Sequence, residues 1–284
     1  MSEFDIFKCA EPVPFEEYKE KFKDWFVLTR EDGILEVRMH TDDGPAMWAY
    51  GLHKGMGQLM KYIAQDLDNQ VLIWTGSGDK WLNIPDMKYL SLLVNESNTD
   101  ARAYAKRTYD QWYMDGKQLL KSILFDIEIP TIAAINGPSP VHHTELALAC
   151  DITLSAPDVI FGDPHYLGFL VPGDGQYLSI RHLVGDKRAS LMAYGAKMVD
   201  AETALDWGLI SEIVPRENIL DRAWELARHI MKGSYHARRL THLIINQPWR
   251  KEVLDEFDLQ FAAEGWVGSM TDPSEGVKVA NKLK

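Results

Sequence analysis

The chain has 284 residues, 46% of them hydrophobic and 25% charged, with a formal net charge of -12. That is enough apolar material for a sizeable core, and the acidic balance lacks the basic face that holds a phosphate backbone or an anionic lipid surface, so neither nucleic acid nor a membrane is expected as a partner. Cys9 and Cys150 give no metal-ligand or disulfide spacing, the acidic start is unlike a secretion signal, and no run reaches the roughly 18 apolar residues of a membrane span, so a cytoplasmic location is expected.

In chain order, Trp25 to Arg30 and Ile34 to His40 read as strands joined by Glu31-Asp32-Gly33, a short hairpin connection. Ala46 to Ala64 has helical spacing, and Val71-Leu72-Ile73-Trp74 is a compact apolar strand ending at Thr75-Gly76-Ser77-Gly78. That turn lacks the Lys and Ser/Thr of a phosphate loop. Asn98 to Phe125 has the period of an amphipathic helix, and Pro130 introduces the strand Thr131 to Ile135. After the non-helical Asn136-Gly137-Pro138-Ser139-Pro140, a helix is predicted from about His143 to Ala149, then strands at Ile152 to Leu154 and Val159 to Phe161. Asp200 reads as the N-cap of a helix Ala201 to Trp207 that Gly208 stops, and from Ile219 the pattern is almost wholly helical. The alternation predicts an α/β core over residues 1–218 and a helical region over 219–284 that folds onto it or onto a neighbouring subunit.

The chemistry-bearing residues gather around one segment. His165 is followed nine residues later by Asp174, within Phe161-Gly162-Asp163-Pro164-His165 and Pro172-Gly173-Asp174-Gly175. An acid beside an imidazole can orient the ring and stabilise its protonated form while the other nitrogen activates water. His142, His143, Glu145 and His165 are also metal-ligand types, but no His-Glu-x-x-His or comparable pair occurs, and no metal is expected.

Three runs resemble the crotonase (enoyl-CoA hydratase/isomerase) superfamily: Ile129-Pro130-Thr131-Ile132-Ala133-Ala134-Ile135-Asn136-Gly137, Glu145-Leu146-Ala147-Leu148-Ala149-Cys150-Asp151-Ile152, and Asp200-Ala201-Glu202-Thr203-Ala204-Leu205-Asp206-Trp207-Gly208. The resemblance implies a ββα-superhelix core and a C-terminal helical region that assembles the chain as a homotrimer or a dimer of trimers. Against it stand departures from CoA chemistry. His142 and His143 occupy the place of a glycine cluster whose backbone donor cradles a thioester oxygen. The second donor turn reads Asn83-Ile84-Pro85-Asp86, in which Pro85 has no N–H. His165 replaces a catalytic glutamate.

The same replacements resemble the β-diketone hydrolase branch of that superfamily, which cleaves a carbon–carbon bond between two carbonyls without CoA or metal. Its pattern maps onto His142, His165 and Asp174, onto Trp48 and His53 five residues apart, and onto Glu264. The resemblance implies a cofactor-independent hydrolase for a hydrophobic, cyclic β-diketone, with water as co-substrate. His165 is then the base and Asp174 its orienter; His142 and the Trp48 indole N–H serve as donors to the oxyanion or enolate, and His53 and Glu264 position water or substrate. His143 is expected to face elsewhere in a supporting role, and Glu145 retains the place of a hydratase glutamate. Two alternatives remain open at this point: a CoA-thioester hydratase, isomerase or hydrolase that uses Glu145, and a non-catalytic scaffold of the same fold.

Overall fold

A computed structural model describes residues 12–83, 100–139, 143–195 and 197–271. Helix α1 (Phe15–Phe22) leads into the hairpin of β1 (Phe26–Glu31) and β2 (Ile34–Met39). Its turn residues Asp32 and Gly33 sit at φ 49° and 84°, the handedness that two right-twisted strands demand of a short connection. Helix α2 (Tyr50–Gln65) and strand β3 (Val71–Gly76) follow. The helical stretch α3 covers 101–126, its α-helical parts Ala101–Arg107 and Met114–Lys121 each continuing into a π-helical turn, Thr108–Tyr113 and Ser122–Asp126. Next come β4 (Thr131–Ile135), α4 (Glu145–Leu148), β5 (Ile152–Ser155), β6 (Ile160–Phe161), α5 (Gln176–Val184), α6 (Asp186–Gly195) and β7 (Val199–Asp200). The described chain ends in α7 (Ala201–Trp207), β8 (Glu212–Ile213), α8 (Arg216–Ile230), α9 (Tyr235–Glu252) and, after a π-helical turn Val253–Phe257, α10 (Asp258–Met270).

The main sheet runs β1-β2-β3-β4-β5-β8, antiparallel only between β1 and β2, while β6 and β7 form a separate antiparallel pair. Every residue of β3 and β4 is buried, as expected of central parallel strands covered on both faces. Alternation divides them. Leu72, Trp74, Ala133 and Ile135 join the large core with Met56, Leu59 and Leu120, whereas Val71, Ile73, Ile132 and Ala134 meet Ile219, Ala223 and Ala227 of α8 on the other face. The expected division at 218/219 therefore falls inside a helix that packs on the sheet.

Differences from the sequence expectation have local causes. The helix expected from Ala46 begins at Tyr50 because Ala46 and Met47 are engaged as extended chain with Asn83, whose N–H donates to the Ala46 carbonyl at 2.7 Å. Helices α1, α5 and α6 were not expected. In α6 only Ala189, Met192 and Ala193 are buried, too few and too small to mark an apolar stripe. No helix among the described residues is long and apolar enough to cross a membrane.

Candidate active site

Strand β6 delivers the chain to a tight loop built on Asp163. Its Oδ1 accepts the backbone N–H of His165 at 2.8 Å, a local bond that an aspartate readily makes two residues on. The same oxygen lies 2.7 Å from Nδ1 of His165. A carboxylate can only accept, so Nδ1 carries the proton. The Asp163 side chain is 1% exposed. The spacing had placed Asp174 on this ring; the bond to Nδ1 belongs to Asp163 instead. Asp174 stands close by, with ligand-type atoms of Asp163, His165 and Asp174 all within 4.8 Å of one another.

Asp174 is held from two sides. Its Oδ1 accepts the Gln176 N–H at 3.1 Å at the start of α5, and the preceding Gly173 N–H donates to Glu264 Oε2 of α10 at 3.1 Å. A Cβ on Gly173 would sit 2.1 Å from the Gln260 carbonyl oxygen, so only glycine lets the loop approach α10 this closely. Gln176 is also joined to Thr144 by three hydrogen bonds: the Thr144 N–H reaches Oε1 at 3.1 Å, the Thr144 hydroxyl reaches the same oxygen at 3.2 Å, and Nε2 reaches Oγ1 at 2.7 Å. This buried pair fastens the approach to α4 against α5 and turns the neighbouring residues toward Asp174.

His143 is thereby brought into the site rather than away from it. Its Nδ1 is 3.3 Å from Glu145 Oε1 and 3.7 Å from Asp174 Oδ2. Its carbonyl accepts the Trp81 indole N–H at 2.8 Å, and its ring stacks on Trp48 with centroids 3.8 Å apart and planes 15° apart. Trp48 in turn meets His53 edge-on at 5.2 Å. Across α2 from there, Gly116 leaves room for His53 and Phe261: a Cβ on it would come within 3.1 Å and 2.3 Å of them. Glu145 is 3% exposed, and its Oε2 has no hydrogen-bond partner among the described residues. His142 lies outside the described residues, as do Ile84, Pro85 and Asp86.

Burial and mutual charge set the electrostatics. Burial alone would lower the His165 ring; Asp163, Asp174 and Glu264 outweigh it and hold the imidazole well above its ordinary value. Burial raises Asp174, with Glu145 and Asp163 adding to the effect against His165 and His143. Glu264 is raised well above the ordinary carboxylate range by burial and by the facing Asp174. His53 moves the other way: burial, and then the facing His143, push it down to about 4, so the ring is neutral at physiological pH.

Ligand-type atoms of His143, Glu145 and Asp174 form a second group within 4.8 Å of one another, a spacing that a cation could bridge. In both groups the imidazole Nδ1 already faces a carboxylate, at 2.7 Å for His165 and 3.3 Å for His143, so each group pairs internally. The arrangement supplies an imidazole with a fixed proton, buried carboxyls that hold protons at unusually high pH, and an indole N–H, all grouped for proton transfer to and from a polar substrate. The sequence reading missed Asp163. Its signal was the local Asp-Pro-His order, in which an aspartate two residues before a histidine reaches both the backbone and the ring.

Comparison with known proteins agrees with the fold. Residues 29–260 match the family model for enoyl-CoA hydratase/isomerase. A beta-diketone hydrolase from the cyanobacterium Anabaena sp. PCC 7120, solved with (S)-3-oxocyclohexyl acetic acid bound, is 30% identical with a TM-score of 0.80, over 89% of this chain and 97% of that one. An enoyl-CoA hydratase/isomerase from Mycobacterium paratuberculosis is 22% identical with a TM-score of 0.78, over 90% of this chain and 98% of that one, a likeness of fold. The crotonyl-CoA hydratase of Syntrophomonas wolfei is 27% identical over 208 residues, 73% of this chain and 76% of that protein. With a β-hairpin and parallel sheet, a C-terminal helical region and a family model spanning most of its length, this chain belongs to the enoyl-CoA hydratase/isomerase, or crotonase, family.

Proposed function

We propose that this protein is a hydrolase that cleaves the carbon–carbon bond between the two carbonyls of a hydrophobic, cyclic β-diketone. The observation that carries the reading is His165, whose Nδ1 is tied to a buried carboxylate while no hydrogen bond from the described residues reaches Nε2, in the loop where CoA-dependent hydration calls for a glutamate. Neutral His165 takes a proton from water at Nε2 as the water oxygen adds to one carbonyl carbon. The tetrahedral oxyanion collapses to a carboxylic acid, and the electron pair of the broken bond passes to the other carbonyl as an enolate. Its carbon then recovers the proton from the imidazolium, and atoms and charge balance without a cofactor. The Trp48 indole N–H and the histidines at 142 and 143 are the donors for the developing negative charge, and His53 and Glu264 position water or substrate. A keto acid such as the one bound to the Anabaena relative has the form that this cleavage gives from a cyclic diketone.

One second reading has an observation in its favour. Glu145 keeps a buried carboxylate oxygen without a partner among the described residues, and the Syntrophomonas relative is a CoA enzyme. The deciding experiment incubates CoA-free, EDTA-treated protein with cyclic and acyclic β-diketones and, separately, with crotonyl-CoA. Formation of keto acid supports the diketone reading; turnover of crotonyl-CoA alone would replace it with thioester chemistry at Glu145. The exposed Ile244, Leu259, Trp266 and Met270 of α9 and α10 support the expected assembly through the C-terminal helices, and sedimentation showing only monomer would remove that part.

A further inference from the structure

We infer that Asp163 is the positioning residue of His165, holding the proton on Nδ1 so that Nε2 is the nitrogen that exchanges a proton with substrate, and that Asp174 faces the reacting groups instead of orienting the ring. The role of Nε2 rests on the function proposed above; the assignment of the Nδ1 partner does not.

One oxygen of Asp163 receives both the His165 backbone N–H at 2.8 Å and the ring Nδ1 at 2.7 Å, so a single carboxylate pins the ring to its own loop. The side chain is sealed from solvent, where a charge-assisted bond is at its strongest. Asp174 is committed differently. Its Oδ1 takes the Gln176 N–H, and its Oδ2 lies 3.7 Å from His143 Nδ1, which sets it between the two imidazoles. Among the described residues, the charged groups facing His165 are Asp163, Asp174 and Glu264, and those facing Asp174 also include Glu145 and His143. In a triad, an orienting carboxylate fixes the tautomer and stabilises the imidazolium, and its amide replacement costs roughly 10⁴-fold in kcat. Asp163 has the geometry for both effects.

The test begins with proton NMR of full-length protein labelled with ¹⁵N-histidine. A strongly downfield, exchange-protected Nδ1 proton on His165 is expected in the native protein, moved well upfield and exchanging faster in Asp163→Asn, whose neutral Oδ1 is a weaker acceptor, and unchanged in Asp174→Asn. Asparagine keeps the Oδ1 acceptor for the His165 N–H, so the turn is preserved; Asp163→Ser offers the same readout if the Asn variant does not fold. A resonance that is unchanged in Asp163→Asn or Asp163→Ser and moves upfield in Asp174→Asn would overturn the inference. With a diketone substrate, Asp163→Asn is expected to lower kcat by roughly 10²- to 10⁴-fold with little change in KM, and to move the rising limb of the pH profile to lower pH as the ring loses its anionic partner. A merely structural residue would leave that limb in place. If the resonance follows Asp163 but the native protein opens no diketone, the functional reading fails and the positioning of the ring stands.

Discussion

Gly173→Ala isolates the contact that holds Asp174 in the site. The new Cβ would lie 2.1 Å from the Gln260 carbonyl oxygen, 2.7 Å from the Gln260 carbonyl carbon and 3.0 Å from Glu264 Cβ. The first two are main-chain atoms of α10, so no rotamer relieves the clash, and the loop must retreat from the helix. Overpacking of this kind costs about 1–3 kcal/mol. The retreat also breaks the 3.1 Å bond from the Gly173 N–H to Glu264, worth about 1 kcal/mol net. A total of about 2–4 kcal/mol corresponds to a fall in Tm of about 3–7 °C for a chain of this size. Because Asp174 moves with its neighbour, kcat/KM should also fall about 100-fold, the usual consequence of a displacement near 1 Å at reacting groups. Thermal unfolding by circular dichroism and steady-state diketone hydrolysis measure the two effects. Gly195→Ala is the control, since among the described residues a Cβ there meets only Leu191 Cδ1 at 3.5 Å. A Gly173→Ala protein with native Tm and native turnover would refute the close approach of loop and helix.

His165→Ala should lower kcat by roughly 10²- to 10⁴-fold while KM changes little, and native turnover would remove His165 from the mechanism. Since a base acts in its neutral form and the neighbouring acids, Asp163 first, raise this ring above its ordinary value, kcat/KM should rise with pH along a limb above 6.5, the ordinary histidine value; a limb at or below that value would contradict the charge arrangement. Stability should trend the other way over the same range. A raised folded pKa contributes stability that is complete below the unfolded value and lost as pH rises through the folded one, whereas His53, lowered from 6.5 to about 4, adds stability as pH rises between those values. Chemical denaturation across pH, compared with His53→Gln and His165→Gln, separates the two slopes, and slopes unaltered in both variants would refute the assignment. Trp48→Phe keeps an aromatic face for His143 but removes the indole N–H; kcat should fall by roughly 10²- to 10³-fold if that donor stabilises developing charge, and unchanged kcat would exclude the role.

The parts of the fold that were legible are those fixed by local patterns. β3 and β4 are continuous apolar runs because both faces are covered, and their positions follow from that alone. The start and stop of α7 were legible because Asp200 accepts the Thr203 N–H at 2.8 Å and Gly208 takes φ 80°. His143 was misjudged for a physical reason: α4 begins only at Glu145, and the orientation of the residues before it depends on the Thr144–Gln176 pair, a contact across 32 positions that no local period records. Glu264 was reached through the resemblance alone, because its own segment reads as an ordinary helix and no local period records that α10 lies against Gly173. Asp163 was overlooked because the nine-residue interval to Asp174 offered a carboxylate at an attractive distance, although the nearer acid already met the ring through a common local turn.

A second His–Asp cluster in this chain shows why residue types alone do not mark a site. Asp151 Oδ2 accepts the Thr131 N–H at 2.7 Å, the Thr131 hydroxyl at 2.9 Å and His242 Nδ1 at 2.8 Å, and its Oδ1 accepts from Asn246 Nδ2 at 2.7 Å. The other His242 nitrogen lies 3.1 Å from the Ile127 carbonyl, so both ring atoms are engaged. Burial pushes Asp151 up, but the bonds from His242, Thr131 and Asn246 outweigh it and leave the carboxyl below its ordinary value. Every oxygen there is satisfied, and the cluster ties α9 to the sheet, as a polar network in a core must. Around His165 the opposite holds: Asp174 and Glu264 are driven upward, and Glu145 keeps an oxygen without a partner among the described residues. Carboxylates crowded together in this way destabilise the resting fold, and the arrangement makes physical sense only where a substrate or a proton in transit supplies the missing interaction.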